Sequence, residues 1–323
     1  MPKFDCISVG SATVDIILKS KSFKIVKDKN FETGTAICEM YDTKVDVDDF
    51  FSGSGGGATN TSCSLSNFGL KTSCIAGVGT DSFSEVVIDD LNRYFVDISN
   101  VFFSKEHQTS LSVVLTADGG GRTALAYRSG CGAITVNDLK KIDLDTDWVY
   151  VTNLGSTCAN ACEVIDYLKS KNLNIMWNPG SSELEKLDVK NLDKVDILSV
   201  NLEEAAILSN KKMSEVKEIV KYFVQHVKSK YSLITMGEKG AICICKEGIY
   251  HASSIKLKVE NTIGAGDAFG SGFLFGIIKQ MGVEQSLETA IKNSVSVIQK
   301  TGAKEGFLTE HNKLPKPKIN KVK

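Results

Sequence analysis

Short apolar runs recur along most of this chain, separated by longer stretches with helical periodicity, and that alternation restricts the fold more than any other feature. Cys6–Val9, Ser73–Val78, Trp148–Thr152, Leu173–Trp177, Ile197–Val200 and Ser232–Thr235 read as buried strands. Ala161–Ser170, Met213–Lys228, Ala268–Met281 and Leu287–Thr301 read as helices, each long enough to carry the chain back and lay the next strand parallel to the last. The expected class is α/β: a Rossmann-like three-layer α/β/α domain around a mainly parallel central sheet.

Two stretches interrupt the alternation. One runs from Lys19 to Phe51; the other, Leu111–Arg128, is a hairpin pattern whose arms flank Ala117-Asp118-Gly119-Gly120-Gly121. Antiparallel segments inserted early in an α/β chain suit a small sheet outside the main one, so residues 16–52 and 104–128 are expected to form a lid. Residues 1–310 then make one domain. Residues 311–323 hold five Lys and two Pro with no acid, and are expected to be a poorly ordered basic tail.

Charge excludes some functions. Thirty-eight Lys and Arg balance 39 Asp and Glu, a formal net charge of -1, so no general field favours nucleic acid or an anionic membrane. Apolar runs fall short of the roughly 18 residues that cross a bilayer, and Met1–Cys6 lacks a signal peptide's apolar segment. A cytoplasmic protein is expected. None of the nine Cys forms a Cys-x-x-Cys pair, and the spacings of Cys158 with Cys162 and Cys243 with Cys245 suit reduced, buried thiols better than a metal site.

Two glycine-rich segments carry chemistry. In Gly53-Ser54-Gly55-Gly56-Gly57, followed by Ala58-Thr59-Asn60 and an apolar helix, main chain can approach a ligand closely, although a flexible turn before a helix would look the same. Asn261-Thr262-Ile263-Gly264-Ala265-Gly266-Asp267 is sharper, because Gly-x-Gly-Asp directly precedes a helix. Free N–H groups and the positive end of the macrodipole there suit a phosphoryl group. Asp267 is either a cap of that helix or a base that takes a proton from an attacking hydroxyl.

The ordered set Gly55-Gly56-x-x-x-Asn60, Asn201-x-x-Glu204, Thr235-x-Gly237-x-x-Gly240 and Gly264-Ala265-Gly266-Asp267 resembles the ribokinase-like (PfkB-type) sugar and nucleoside kinases, from Val9-Gly10 to about Gly306. The resemblance implies transfer of the γ-phosphoryl group of Mg-ATP to a hydroxymethyl group of a sugar, or alternatively of a nucleoside. Asp267 would be the base, and the Gly264, Ala265 and Gly266 amides the anion hole. Asp15, Gly55, Gly56 and Asn60 would bind the acceptor, with Arg128 either reaching it or remaining a solvated strand-end charge. Asn201, Thr235, Gly237, Gly240 and Asn293 would contact the nucleotide, and Glu204 would hold Mg²⁺ through water, unless it merely complements its helix dipole. A homodimer through the lid is a further implication.

This chain departs from the family pattern twice. Asn261 stands where many members carry an Asp that helps hold K⁺, and Ser54 where many carry Pro. Two rival classes are weaker. A nicotinamide-dependent oxidoreductase needs a glycine-rich turn at the first strand that Val9-Gly10-Ser11-Ala12 does not provide. A non-catalytic metabolite-binding protein of the same fold has no use for an intact base beside an anion loop.

Overall fold

The computed structural model describes residues 3–31, 34–117, 122–155, 157–185 and 187–322. Among these, nine strands form the main sheet, in the order Ile319–Val322, Gly248–Ala252, Ala241–Cys245, Tyr231–Thr235, Ile197–Asn201, Asn174–Trp177, Trp148–Val151, Cys6–Val9, Thr72–Ile75. The six strands from Tyr231–Thr235 to Thr72–Ile75 are parallel, and the remaining three are joined antiparallel at one edge. Helices cover both faces, as apolar two-sided strands require. Ile7, Val149, Val151 and Trp177 pack into one cluster; Cys6, Tyr150 and Met176, alternating with them along the strands, pack into the other.

The expected helices and five of the six expected strands are present with ends shifted by a few residues; the sixth, Ser73–Val78, is divided into Thr72–Ile75 in the main sheet and Gly77–Gly79, which pairs with Phe102–Ser104 in a separate ribbon. Helix Val216–His226 shows how they hold: Ile219 and Phe223, one turn apart, are fully buried against the sheet. Phe223→Ala is expected to lower unfolding free energy by about 3–5 kcal/mol, measurable by urea denaturation.

The lid forms a separate four-stranded sheet in the order Arg122–Tyr127, Ser110–Ala117, Thr13–Ser20, Asp49–Gly55. Its outer pairs are antiparallel, but Thr13–Ser20 and Ser110–Ala117 run parallel, because both leave the body of the protein in the same direction. The glycine turn Asp118–Gly121 expected to join the hairpin arms lies outside the described residues. Lys24–Lys27 and Thr35–Cys38 make a further two-stranded ribbon.

The basic tail corrects the sequence reading. Ile319–Val322 pairs with Gly248–Ala252 and closes the sheet edge. Alternating Lys with apolar residues there suits an edge strand, whose charges discourage further pairing. No described helix is long and apolar enough to cross a membrane. All nine cysteines are free thiols, and no cluster of three or more His, Cys, Asp or Glu among the described residues could hold a metal.

Candidate active site

The site lies where the C-terminal ends of the parallel strands meet the lid, the position at which open α/β sheets bind ligands. Helix Ala265–Ile278 starts there from Gly264, whose φ of 74° lies in the left-handed region. A Cβ at Gly264 would also press on Ala303, at 2.8 Å from its Cβ. Only glycine satisfies both conditions. The first intrahelical bond runs from Ala268 N to Gly264 O at 2.9 Å, so the Gly266 and Asp267 amides precede the helical ladder and face outward as donors.

Asp267 stands on the third residue of this helix, yet its side chain does not cap it. Oδ2 accepts a 2.8 Å bond from Asn60 Nδ2, on helix Gly57–Asn67. Burial outweighs this bond and the nearby Lys304 ammonium, and raises the Asp267 pKa to about 6, with Asp15 adding to the rise. A carboxyl poised near neutrality, with one oxygen hydrogen-bonded and the other making no hydrogen bond among the described residues, has the properties of a general base.

Asp15 lies on strand Thr13–Ser20 of the lid, in register with Gly53 and Ser112. It is 8% exposed, and burial raises its pKa against the opposing influence of Lys304 and a hydrogen bond from Ser112. A Cβ on Gly55 would collide with its carboxylate. Gly56 turns the chain into helix Gly57–Asn67 at φ 92°, with any Cβ 2.5 Å from Ser11 O. Asp15, Gly55, Gly56, Asn60 and Asp267 therefore converge on one surface.

A cavity of about 790 Å³ opens on the other side of the Gly264 turn. Thr235, Gly237, Gly240, Ala265 and Gly266 line it, together with Ile255, Leu257, Phe269, Ile291 and Val295. The lining combines glycines and an open helix end with the charged Glu238, Lys239 and Lys256 and a group of apolar side chains. That distribution suits a phosphorylated ligand with a flat apolar head.

The remaining expected residues behave differently. Asn201 and Glu204 form a reciprocal capping box at the start of helix Leu202–Ser209: Glu204 N donates to Asn201 Oδ1 at 2.9 Å, and Asn201 N to Glu204 Oε2 at 2.8 Å. Asn201 is in register with Thr235, which brings the pair to the cavity's end of the sheet. Asn293 is a correction. It is fully buried, its Nδ2 donating to Ser64 Oγ and Ala268 O and its Oδ1 accepting from Leu308 N, so it braces two helices instead of facing a nucleotide; neighbouring Ser294 and Val295 line the cavity. Arg128 is exposed beyond the lid's edge strand and makes no hydrogen bond or ion pair among the described residues. Lys304 was not legible in the sequence. It resembles any other Lys in a polar loop, and only the fold buries it beside Asn60.

A nucleotide-sized cavity and a half-buried carboxylate meet at one helix N-terminus, in a fold with a β lid that matches the ribokinase-like small-molecule kinases. The model of the pfkB family carbohydrate kinases matches residues 3–310, and the chain belongs to that family, whose members are phosphotransferases acting on sugar or nucleoside hydroxyls. It is 24% identical over 262 residues to the ribokinase of Lactococcus lactis, covering 78% of each chain. The fold matches Arabidopsis thaliana ribokinase complexed with ribose and ATP (TM-score 0.75, 17% identity, 94% of this chain and 95% of that one). It equally matches a Methanocaldococcus jannaschii nucleoside kinase (TM-score 0.74, 18% identity, 95% and 96%).

Proposed function

We propose that this protein transfers the γ-phosphoryl group of ATP to a hydroxymethyl group of a sugar, with Asp267 as general base. The carrying observation is that the helix start bearing Asp267 also supplies Ala265 and Gly266 to the nucleotide-sized cavity. Acceptor and donor can thus meet across a single turn of backbone. The acceptor hydroxyl would be held by Asp15 and Asn60 and deprotonated by the free oxygen of Asp267. Its oxygen forms the new bond to phosphorus as the bond to ADP breaks, and the Gly266 and Asp267 amides stabilise charge on the transferred group, the Ala265 amide being turned back to Thr262 O. The lid would keep water from competing.

Magnesium, when bound, neutralises phosphate charge. Glu204 keeps one oxygen outside its capping box and suits contact through water, in keeping with a cation that gives up its waters reluctantly. A nucleoside acceptor is the second reading. A cavity of about 260 Å³ between the lid and Val259–Asn261 has Ile17, Phe50 and Phe51 beside the polar Lys19, Asp49 and Asn261, so aromatic rings that could pack a base stand next to groups that could bind hydroxyls. Pairing of the exposed lid edge Arg122–Tyr127 with a second copy is part of the same reading. ADP release with Mg-ATP over ribose, fructose, 2-keto-3-deoxygluconate, adenosine, inosine and cytidine tests it. Turnover of none of these would count against it.

Independence from K⁺ is also expected. Asn261 Oδ1 accepts from Ile263 N at 2.8 Å while Nδ2 donates to Lys300 O, so the amide itself ties its own loop to the one after the last helix. Exchanging K⁺ for tetramethylammonium should change the rate less than about twofold, whereas Asn261→Asp, which restores a charged ligand, should create a K⁺ requirement. A strongly K⁺-activated wild type would contradict this.

A further inference from the structure

Lys304 is 2% exposed, and its ammonium donates to three acceptors: Ser54 O at 2.6 Å, Asn60 Oδ1 at 2.7 Å and Thr59 Oγ1 at 3.1 Å. An ammonium has three protons and no lone pair, so all its donors are used. A buried cation is tolerated only where it is paired and fully hydrogen-bonded, and such a group is retained for what it organises rather than for net stability.

What it organises is visible in the next bond. A carboxamide has one accepting and one donating end. Lys304 can only donate, so Asn60 must turn Oδ1 toward it, and Nδ2 must then face Asp267 Oδ2, where it lies at 2.8 Å. The flipped amide would set Oδ1 against the carboxylate, a state that becomes accessible whenever Asp267 is protonated, as it is immediately after accepting a proton. Lys304 forbids it. The same ammonium grips Ser54 O on strand Asp49–Gly55, so the lid's root and the base share one anchor.

Resting on Asp267 as the base, we propose that Lys304 is a positioning residue for phosphoryl transfer: it locks the Asn60 amide in the single orientation that occupies Asp267 Oδ2 and reserves Oδ1 for the acceptor hydroxyl. The groups around Asp267 support this. Asn60 from helix Gly57–Asn67 and Lys304 from the loop after the last helix favour its anion, and Asp15 from the lid opposes it. Burial holds the hydroxyl of Tyr150, on strand Trp148–Val151, well above its usual range, with Asp267 adding to the rise. Burial lowers the Lys304 pKa, and Asp90, Asp15 and Asp267 oppose it and help keep the ammonium charged.

The test compares Lys304→Met, which removes charge and donors, with Lys304→Gln, which retains a donor without charge. In ligand-free protein carrying ¹³C-labelled Asp, the Asp267 carboxyl resonance, assigned by its loss in Asp267→Asn, should titrate about one pH unit higher in both variants than in wild type. With Mg-ATP and the first acceptor that releases ADP, Lys304→Met should lose about 10- to 100-fold in kcat with KM for ATP within about threefold, and Lys304→Gln should recover much of that loss. A variant that is merely less stable, with unchanged carboxyl titration and kcat per folded molecule, overturns the proposal. Should Lys304→Met not fold, Lys304→Gln decides by the same two readouts. Wild-type turnover in Asp267→Asn would instead overturn the base assignment and this proposal with it, a result distinguishable from a failure confined to Lys304.

Discussion

Asp267→Asn is expected to lower kcat by about 10²- to 10⁴-fold while ATP affinity stays within a few-fold of wild type. The amide is nearly isosteric and can still accept from Asn60, so what disappears is the capacity to take a proton from the acceptor. The pH profile carries the same information. With a pKa of about 6, Asp267 is active only when deprotonated, so kcat should rise as pH climbs through about 6 and then level off. That limb should be missing from the residual rate of the variant. Stability should move the other way: the folded pKa lies above the unfolded value near 3.8, so this group favours the fold at low pH and that contribution is lost as pH rises through about 6. Asp267→Asn should therefore unfold at higher urea than wild type at pH 7.5. A variant with full turnover would contradict the assignment.

Gly266→Val should separate binding from folding. A Cβ at Gly266 would meet no atom within 4 Å, and the residue lines the nucleotide-sized cavity in the first turn of its helix. The added side chain would therefore enter the space assigned to the transferred phosphate without straining the protein. Valine also has a somewhat better helix propensity than glycine. Unfolding free energy should change by less than about 1 kcal/mol, while ATP affinity falls by at least about 100-fold. Calorimetric titration with the non-hydrolysable ATP analogue AMP-PNP, paired with urea denaturation, checks both. Retained affinity would show that the phosphates lie elsewhere.

The α/β class was legible because both periodicities are local. Cys6–Val9 and Trp148–Val151 are apolar on both faces, as only strands covered by helices on two sides can be. The Gly264 turn was legible for a similar reason: glycine at a helix start records a backbone angle, and the angle is written at the residue that adopts it. Asn293 shows where this fails. A helical Asn near a predicted ligand has the same local pattern whether it faces a cavity or a neighbouring helix, and here packing turned it inward to Ser64 and Leu308. The Lys-rich end misled in the opposite sense, since charge suggests solvent while an edge strand needs only backbone pairing on one side.

The order of strands and helices, the turn at Gly264 and the presence of an acid beside it are properties of neighbouring residues, and the sequence by itself determined them. The pairing of Asp267 with Asn60, the burial that lifts its pKa and the lock applied by Lys304 join positions 207 and 244 residues apart. Only the tertiary structure decided those, because desolvation and hydrogen bonding depend on distance in space, which no local pattern in the chain records.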